Sequence, residues 1–463
     1  MRGFRHQHTS DLSASLTCST MAFDIDYLES QVDSANASTK QVDAVGQELS
    51  VSVKLLMMKL LVKALMSKSN FDAAISMADE LLQDAPNSVY PHYALGTAFS
   101  KIGDNDKAVY HCRRFLEIEP IACDAKFKQD NLATVYNNLA VSLKTLGFLD
   151  QAEIEFKQAL ALDDQFAAAY NNYGNLLNDK ARLPEARQCF MRAIEINPDD
   201  HIAYWNLHAT SNEMDEAQSI IEACISKSPT DEIAIFTLAG LRAFNGDKNP
   251  FKELLEYGFK NEPLVRSIEW ILSLPKMPEI HFNRWSIYDR AIELSDRNRA
   301  FYEFGVWMGD SFKYIVPSFS VGFGFDSFQG LPEDWGVVPR GTYSSRGRVP
   351  NIENSKFIVG EFENTLPEFF KSKQPMAGLM NFDADLYSST ITALTNARPV
   401  IDLQTTLVFD EFIVNNNWEQ DEFKALNEFC EANGYAFEVE AVSLFTKQVV
   451  CRLIPDKSNI QVK

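Results

Sequence analysis

Residues 136–140 read Tyr-Asn-Asn-Leu-Ala, and residues 170–174 read Tyr-Asn-Asn-Tyr-Gly, the same pattern 34 residues later. Working outward, His92, Leu95 and Gly96 repeat the aromatic, leucine and small positions once more. Ala74, Ala108, Ala152 and Ala186 fall 34, 44 and 34 residues apart, and Phe156 and Phe190 are separated by 34. So are Pro86 and Pro120, and Asp164 and Pro198. A period of this length marks stacked supersecondary units that bury a continuous core only together.

The period, with small residues at fixed places, resembles the tetratricopeptide repeat (TPR), a pair of antiparallel helices. Gly96 and Gly174 then let the second helix approach, Ala108, Ala152 and Ala186 mark the crossing, and Pro120 and Pro198 close the second helix. Repeats fall at 55–88, 89–122, 133–166 and 167–200, with about ten residues inserted before the third. A shortened fifth unit from 201 to about 231 carries Ala217 and Pro229, and a decayed helical pair runs to about 263. Such arrays form a concave groove for a peptide or protein partner. Asn137, Asn138, Asn171, Asn172 and Asn206 recur on the first helices. Their amides either clamp an extended backbone, since Asn both donates and accepts, or are satisfied locally. His111, His201 and His208 read as surface or packing residues.

The chain has 463 residues, with 43 Lys+Arg against 64 Asp+Glu, a net charge of −21. That balance argues against wrapping nucleic acid or resting on an anionic membrane. Seven scattered cysteines, never spaced C-x-x-C, exclude a zinc ribbon and fit reduced thiols in the cytoplasm. The apolar run from Leu55 to Met66 is broken by Lys59 and Lys63, so no membrane span is expected. Residues 1–50 read as a disordered or variable tail without a signal-peptide core, Met21 being an equally good start. Residues 457–463 read as a C-terminal tail. The expected division is thus a TPR domain at 51–263 and an α/β domain at 264–456.

In that second domain the alphabet shifts to glycines, phenylalanines and short apolar runs. Strands are expected at 300–304, 319–325, 356–359, 377–382 and 405–409, with helices at 284–295, 310–316, 364–371, 388–398 and 419–433. This alternation predicts a Rossmann-like, doubly wound, mostly parallel sheet, with 435–453 as an antiparallel edge pair. Ligands bind such sheets at the carboxyl ends of the strands. The first strand ends Glu303-Phe-Gly305-Val-Trp307-Met-Gly309-Asp-Ser311, a glycine-bearing turn into a helix. Asp326 ends the second strand 23 residues after Glu303, where dinucleotide folds place the carboxylate for ribose hydroxyls. Neither G-x-G-x-x-G nor G-x-x-x-x-G-K-[ST] is present, so a nucleoside cofactor without phosphates, S-adenosylmethionine, fits better than NAD or ATP.

Asn381-Phe-Asp383-Ala-Asp385-Leu-Tyr387 and Val408-Phe-Asp410-Glu411-Phe412 end two further strands. Parallel neighbours lie about 4.8 Å apart, so Asp383, Asp410 and Glu411 are expected to converge. Converging carboxylates call for a cation, and oxygen ligands alone favour Mg²⁺, Mn²⁺ or Ca²⁺. No histidine follows His281, so a general base here is a carboxylate, Tyr or Lys, with Asp385 the candidate.

These segments resemble the macrocin-type O-methyltransferases, which are Mg²⁺- and S-adenosylmethionine-dependent and methylate sugar hydroxyls. The most specific match is Gly324-Phe-Asp326-Ser327-Phe-Gln-Gly330-Leu-Pro332, joined by Gly360-Glu-Phe-Glu-Asn-Thr365, Asp383-Ala-Asp385-Leu-Tyr-Ser-Ser-Thr390 and Phe409-Asp410-Glu411-Phe412. The resemblance implies a cofactor around Glu303, Gly305, Gly309, Ser311, Asp326, Ser327 and Gly360. It implies metal ligands at Asp383, Asp410 and Glu411, and a base at Asp385. Better-studied members have Asp-Asp where this chain has Asp410-Glu411. The stretch 334–352, with Trp335, Tyr343, Arg340, Arg346 and Arg348, reads as a lid or acceptor loop, its arginines either binding an anionic acceptor or balancing an acidic surface. Two functional readings follow. One is a methyltransferase acting on a hydroxyl-bearing, sugar-like acceptor while the TPR groove recruits a protein partner. The alternative is a TPR scaffold whose methyltransferase-like domain no longer turns over. Four clustered acids favour the first.

Overall fold

The structure, a computed structural model, describes residues 69–119 and 125–456, together with Val62, Lys63, Leu65 and Met66. The two expected tails, most of the first helix of the first repeat, and Pro120 lie outside these residues. Two compact units divide at Asn172 and Tyr173.

In the first unit, helices α1 (Phe71–Asp84), α2 (Val89–Ile102), α3 (Asn105–Glu117), α4 (Ala125–Thr145) and α5 (Leu149–Leu162) follow one another. Their starts are written in the sequence, because Asn70 and Asp104 cap the helices that follow them through side-chain oxygens. The inserted residues before the third repeat lengthen α4 to 21 residues instead of forming a loop. Ala108 and Ala152 are wholly buried. A Cβ on Gly96 would stand 2.8 Å from Cys112 Sγ, so the close approach of α3 needs the missing side chain. Three of the recurring asparagines form a chain. Asn172 Nδ2 donates to Asn137 Oδ1 (3.0 Å), Asn137 Nδ2 to Asn138 Oδ1 (3.3 Å), and Asn138 Nδ2 to Thr97 Oγ1 (3.2 Å).

Helix α6 (Ala167–Asp179) spans the division. The second unit continues with α7 (Leu183–Ile196), α8 (His201–His208), α9 (Met214–Lys227), α10 (Glu232–Phe244), α11 (Asn249–Glu256) and α12 (Pro263–Ser273). The helical array passes directly into an eight-stranded sheet. Its strands are β1 (Glu279–Ile280), β2 (Ala300–Phe304), β3 (Gly322–Asp326), β4 (Ser355–Val359), β5 (Ala377–Phe382), β6 (Thr406–Phe409), β7 (Tyr435–Val442) and β8 (Val449–Pro455). The order is β1-β7-β8-β6-β5-β2-β3-β4, and only the pairings of β8 with β6 and β7 are antiparallel. Five helices, α13 (Arg284–Leu294), α14 (Asp310–Ile315), α15 (Phe362–Lys371), α16 (Tyr387–Ala397) and α17 (Glu422–Asn433), complete the α/β layers. The chain is therefore an α-solenoid joined to a Rossmann-like, doubly wound sheet, as expected. The two-residue β1, added beyond β7, is the one strand the alternation gave no sign of.

A row of phenylalanines fixes the sheet's working edge. Phe304 stacks on Phe325 and on Phe382 at 5.1 Å each, and Phe382 on Phe409 at 4.8 Å. These residues are register partners on β3, β2, β5 and β6, and all four are fully buried. Side chains alternate along a strand, so the next residue on each faces the opposite layer. Those residues are Asp326, Gly305, Asp383 and Asp410. Strand order reverses between β2 and β5, so this row lies at the switch point where open α/β sheets bind ligands.

Candidate active site

The first glycine of the turn after β2 is dictated by its neighbour. Gly305 has φ +89°, and a Cβ there would stand 1.8 Å from the Asp383 carbonyl oxygen. Only glycine lets the ends of β2 and β5 approach this closely, and Asp383 N donates to Phe304 O at 2.8 Å across the same join. Asp326 closes the turn from the other side. Its Oδ2 accepts from Val306 N and Trp307 N at 2.7 Å each, and its Oδ1 from Phe328 N at 2.6 Å. Three backbone donors leave a carboxylate one of its four lone-pair sites, so Asp326 is a clamp on the turn with limited capacity for a hydroxyl. Gly309, at φ +84°, ends the turn before α14. Gly360 N donates to Asp326 O, and Ser327 Oγ accepts from Gln329 N.

Glu303 is fully buried one step back from Gly305 and accepts from Asn381 Nδ2 at 2.8 Å, with Ser311 alongside. Burial pushes its pKa up to about 8. Its Oε2 and the Asn381 Oδ1 are buried without a partner. Two buried polar atoms without partners are costly unless a ligand reaches them. This chemistry fits the cofactor that the sequence resemblance implies, whose amino and hydroxyl groups donate.

The acids of β5 and β6 are brought together. Burial, followed by the charges of Asp410 and Asp385, raises the Asp383 pKa well above the usual carboxylate range. Asp385 sits in the left-handed region at φ +59°, unusual for a residue with a side chain and a form of strain concentrated at functional sites. Burial first, then Glu411 and Asp410, lift its pKa to about 7, against the opposing pull of Lys447. Tyr343, at the tip of the loop before β4, has its pKa raised by burial and then by Asp385, Glu411 and Asp383, which places it over the cluster.

The positive charges come from residues that the sequence reading did not single out. Lys447 Nζ donates to Glu411 Oε2 at 2.9 Å and to Asn415 Oδ1 at 2.8 Å. Arg284 stands 3.6 Å from Asp410 Oδ2, while Gln448 Nε2 donates to Asp410 Oδ1 and also to the Tyr288 hydroxyl. Glu422 is buried beneath them and accepts from Glu411 N. Thus Asp410 and Glu411 already carry partners, and among the described residues no group of three His, Cys, Asp or Glu side chains is arranged to hold a metal ion. Asp383, Asp410 and Glu411 do converge, with Arg284 beside Asp410 and Lys447 on Glu411. The Mg²⁺ ligand set implied by the resemblance is not assembled here, because Glu411 is engaged by the Lys447 ammonium and the Arg284 guanidinium stands beside Asp410. Both lie far from the acids in sequence, one before β2 and one in the β7–β8 turn, so no local motif could announce them.

Two tetratricopeptide repeat families match the chain, over residues 59–120 and 147–211. Those two stretches are thereby TPR repeats. The chain is 21% identical over 245 residues to the protein O-mannosyl-transferase TMTC3 of Homo sapiens, covering 50% of this chain and 27% of that protein. It is 30% identical over 122 residues to the type IV pilus assembly protein PilF of Pseudomonas aeruginosa, covering 26% and 44%. The chain thus spans less than half the length of these curated relatives. Among solved structures it is similar to the calicheamicin methyltransferase CalS11, at 18% identity and a TM-score of 0.29, covering 48% of this chain and 93% of that one. Among the described residues no helix is long and apolar enough to cross a membrane, and Cys112, Cys189, Cys224, Cys430 and Cys451 are free thiols.

Proposed function

We propose that the chain is an S-adenosylmethionine-dependent methyltransferase acting on a hydroxyl, with the TPR array engaging a protein partner. The observation that carries this reading is the row Gly305, Asp326, Asp383 and Asp410 at the switch point, with Asp385 held in a strained conformation beside Lys447. Glu303, Asn381 and the turn 305–311 would hold the cofactor, and Asp326 fixes that turn. The cofactor supplies a methyl group on a sulfonium and leaves as a neutral thioether. Asp385 accepts the acceptor's hydroxyl proton as the oxygen gains its methyl bond, and its raised pKa suits a base working near neutrality. Arg284 and Lys447 offset part of the acids' negative charge, and the raised pKa values of Asp383 and Asp385 relieve the rest by protonation. Tyr343, near enough to feel Asp385, Glu411 and Asp383, would face the acceptor.

The test is release of S-adenosylhomocysteine in the presence of a panel of hydroxyl-bearing glycosides and phenols. Turnover by the wild type that falls 10²–10⁴-fold in Asp385→Asn, with cofactor binding retained, is the expected result. Undiminished turnover in that variant would refute the role of Asp385.

A further inference from the structure

Arg284 and Lys447, the two cations beside the acids, sit in short segments that touch repeat helices on their other side. Asn283 Nδ2 donates to Ala209 O at 3.2 Å, and Trp285 Nε1 donates to Asn178 O at 2.5 Å. These carbonyls stand at the C-terminal ends of α8 and α6, where a helix has acceptors to spare. Both donors are buried, so neither bond is a surface contact that water replaces at no cost. Arg284 lies between them, pinned on either side by the repeats, and faces Asp410. Asn283 is also the N-cap of α13, its Oδ1 accepting from Ser286 N at 2.9 Å. One residue thus fixes the start of α13 and ties it to α8.

The β7–β8 turn has the same arrangement. The Phe445 ring lies 3.9 Å from the ring of His208 and 5.8 Å from that of Trp205, both on α8, and 5.8 Å from Phe282. Thr446 Oγ1 donates to Gln448 Oε1 at 3.0 Å, and Gln448 Nε2 donates to Asp410. Lys447, between them, holds Glu411. The turn has little slack. Ser443 N donates to Gln448 O at 2.9 Å, Thr446 N donates to Ser443 Oγ at 3.2 Å, and Lys447 is held at φ +62°. A lysine keeps that left-handed conformation where its surroundings over-determine it. A displacement of Phe445 is therefore passed on to Lys447 and Gln448.

Two segments distant in sequence share one design, an anchor on a repeat helix and, within two residues, a cation on an acid. A recruiting arm needs only a linker, and a linker does not explain anchors beside both cations. We propose that Asn283, Trp285 and Phe445 are positioning residues, through which α6 and α8 set where Arg284 and Lys447 stand beside Asp410 and Glu411. The last repeats then belong to the machinery of the α/β site, besides engaging a partner. The purpose of this device rests on the proposed methyl transfer, but the placing of the two cations does not.

The experiment is chemical labelling of the full chain, without cofactor or acceptor, read residue by residue by mass spectrometry. Acetic anhydride reports the Lys447 ammonium and phenylglyoxal the Arg284 guanidinium, each reacting slowly while its group is held on a carboxylate. Lys371, whose side chain is 75% exposed at the end of α15, is the internal reference. Phe445→Leu is expected to raise Lys447 labelling about fivefold and to leave Arg284 within about twofold. Asn283→Ser, which keeps an oxygen to cap α13 but loses the donor to Ala209, should do the reverse. Phe445→Tyr, which retains the ring, should restore the wild-type rate. Where either variant fails to fold, Trp205→Leu cuts the first tether from the repeat side, and Trp285→Phe cuts the second at its other bond. Unchanged labelling of both cations in folded variants would overturn the proposal. So would an equal rise at both cations and Lys371, which reports general loosening. Release of S-adenosylhomocysteine by the same variants separates the two readings. A kcat lowered about tenfold or more, with the KM for cofactor unchanged, is the expected companion of selective labelling. Selective labelling in a protein that turns over no acceptor would sink the methyl-transfer reading and leave the positioning standing. Undiminished turnover in variants whose cations have been freed would overturn the positioning role.

Discussion

Replacing Gly305 by alanine probes the join on which the site is built. The left-handed conformation costs an alanine about 1–2 kcal/mol, and a stiffer unfolded chain returns about 0.4–1 kcal/mol of that. A Cβ 1.8 Å from the Asp383 carbonyl adds overpacking of about 1–3 kcal/mol, since that oxygen is backbone and cannot rotate away. The net cost is therefore about 1–5 kcal/mol. Gly434 provides the control, because it also has positive φ, at +70°, but a Cβ there meets nothing within 4 Å. Gly434→Ala should cost about 1 kcal/mol or less. Urea denaturation of both variants, followed by the fluorescence of Trp285, Trp307 and the other indoles, measures the difference. Where Gly305→Ala still folds, displacement of residues 383–385 should also weaken S-adenosylmethionine binding at least tenfold. Equal stability of the two variants, within about 0.5 kcal/mol, would refute the claim that β2 and β5 are joined through a glycine-only contact.

Three further outcomes follow from the charges. The Glu303 pKa is raised to about 8, so the folded state holds a proton that the unfolded chain releases near its ordinary value. This contribution to stability is present at low pH and is lost as pH rises toward 8. Glu303→Gln should flatten that decline between pH 5 and 8 in thermal melts of the cofactor-free protein, by a few kcal/mol at most. Lys447→Met removes the cation that holds Asp385 down, so the ascending limb of the pH–rate profile should move to higher pH from its start near 7. An unmoved limb would show that Lys447 does not face the base. Because Arg284 and Lys447 already neutralise Asp410 and Glu411, chelation with EDTA should leave turnover within twofold, and a complete loss restored by Mg²⁺ would contradict that assignment.

Much of this architecture was legible in the chain because it rests on local rules. The 34-residue period depends on small residues where helices cross, and Gly96 and Ala108 stand in contact positions for that reason. The strands of the sheet were readable from buried runs such as Ala377–Phe382, since a strand covered on both faces has no polar side to hide. The acids were readable because strand ends are where such sheets bind. What escaped the sequence is long-range. Arg284, Lys447 and Gln448 reach the acids from segments whose composition is ordinary, and nothing near them in the chain signals the encounter. Asn137, Asn138 and Asn172 look like a peptide clamp in one dimension, whereas in three they bond to each other. Asp326 was expected to meet a ribose, and its oxygens are instead largely engaged by the turn it closes.

The central claim is that the turn between β2 and α14 cradles S-adenosylmethionine. Isothermal titration of that compound into the full chain, beside Asp326→Ala, tests it most directly. One-to-one binding in the wild type, reduced at least tenfold when the carboxylate that holds Val306 and Trp307 is removed, is the predicted result. No binding to the folded wild-type protein, with or without Mg²⁺, would contradict it.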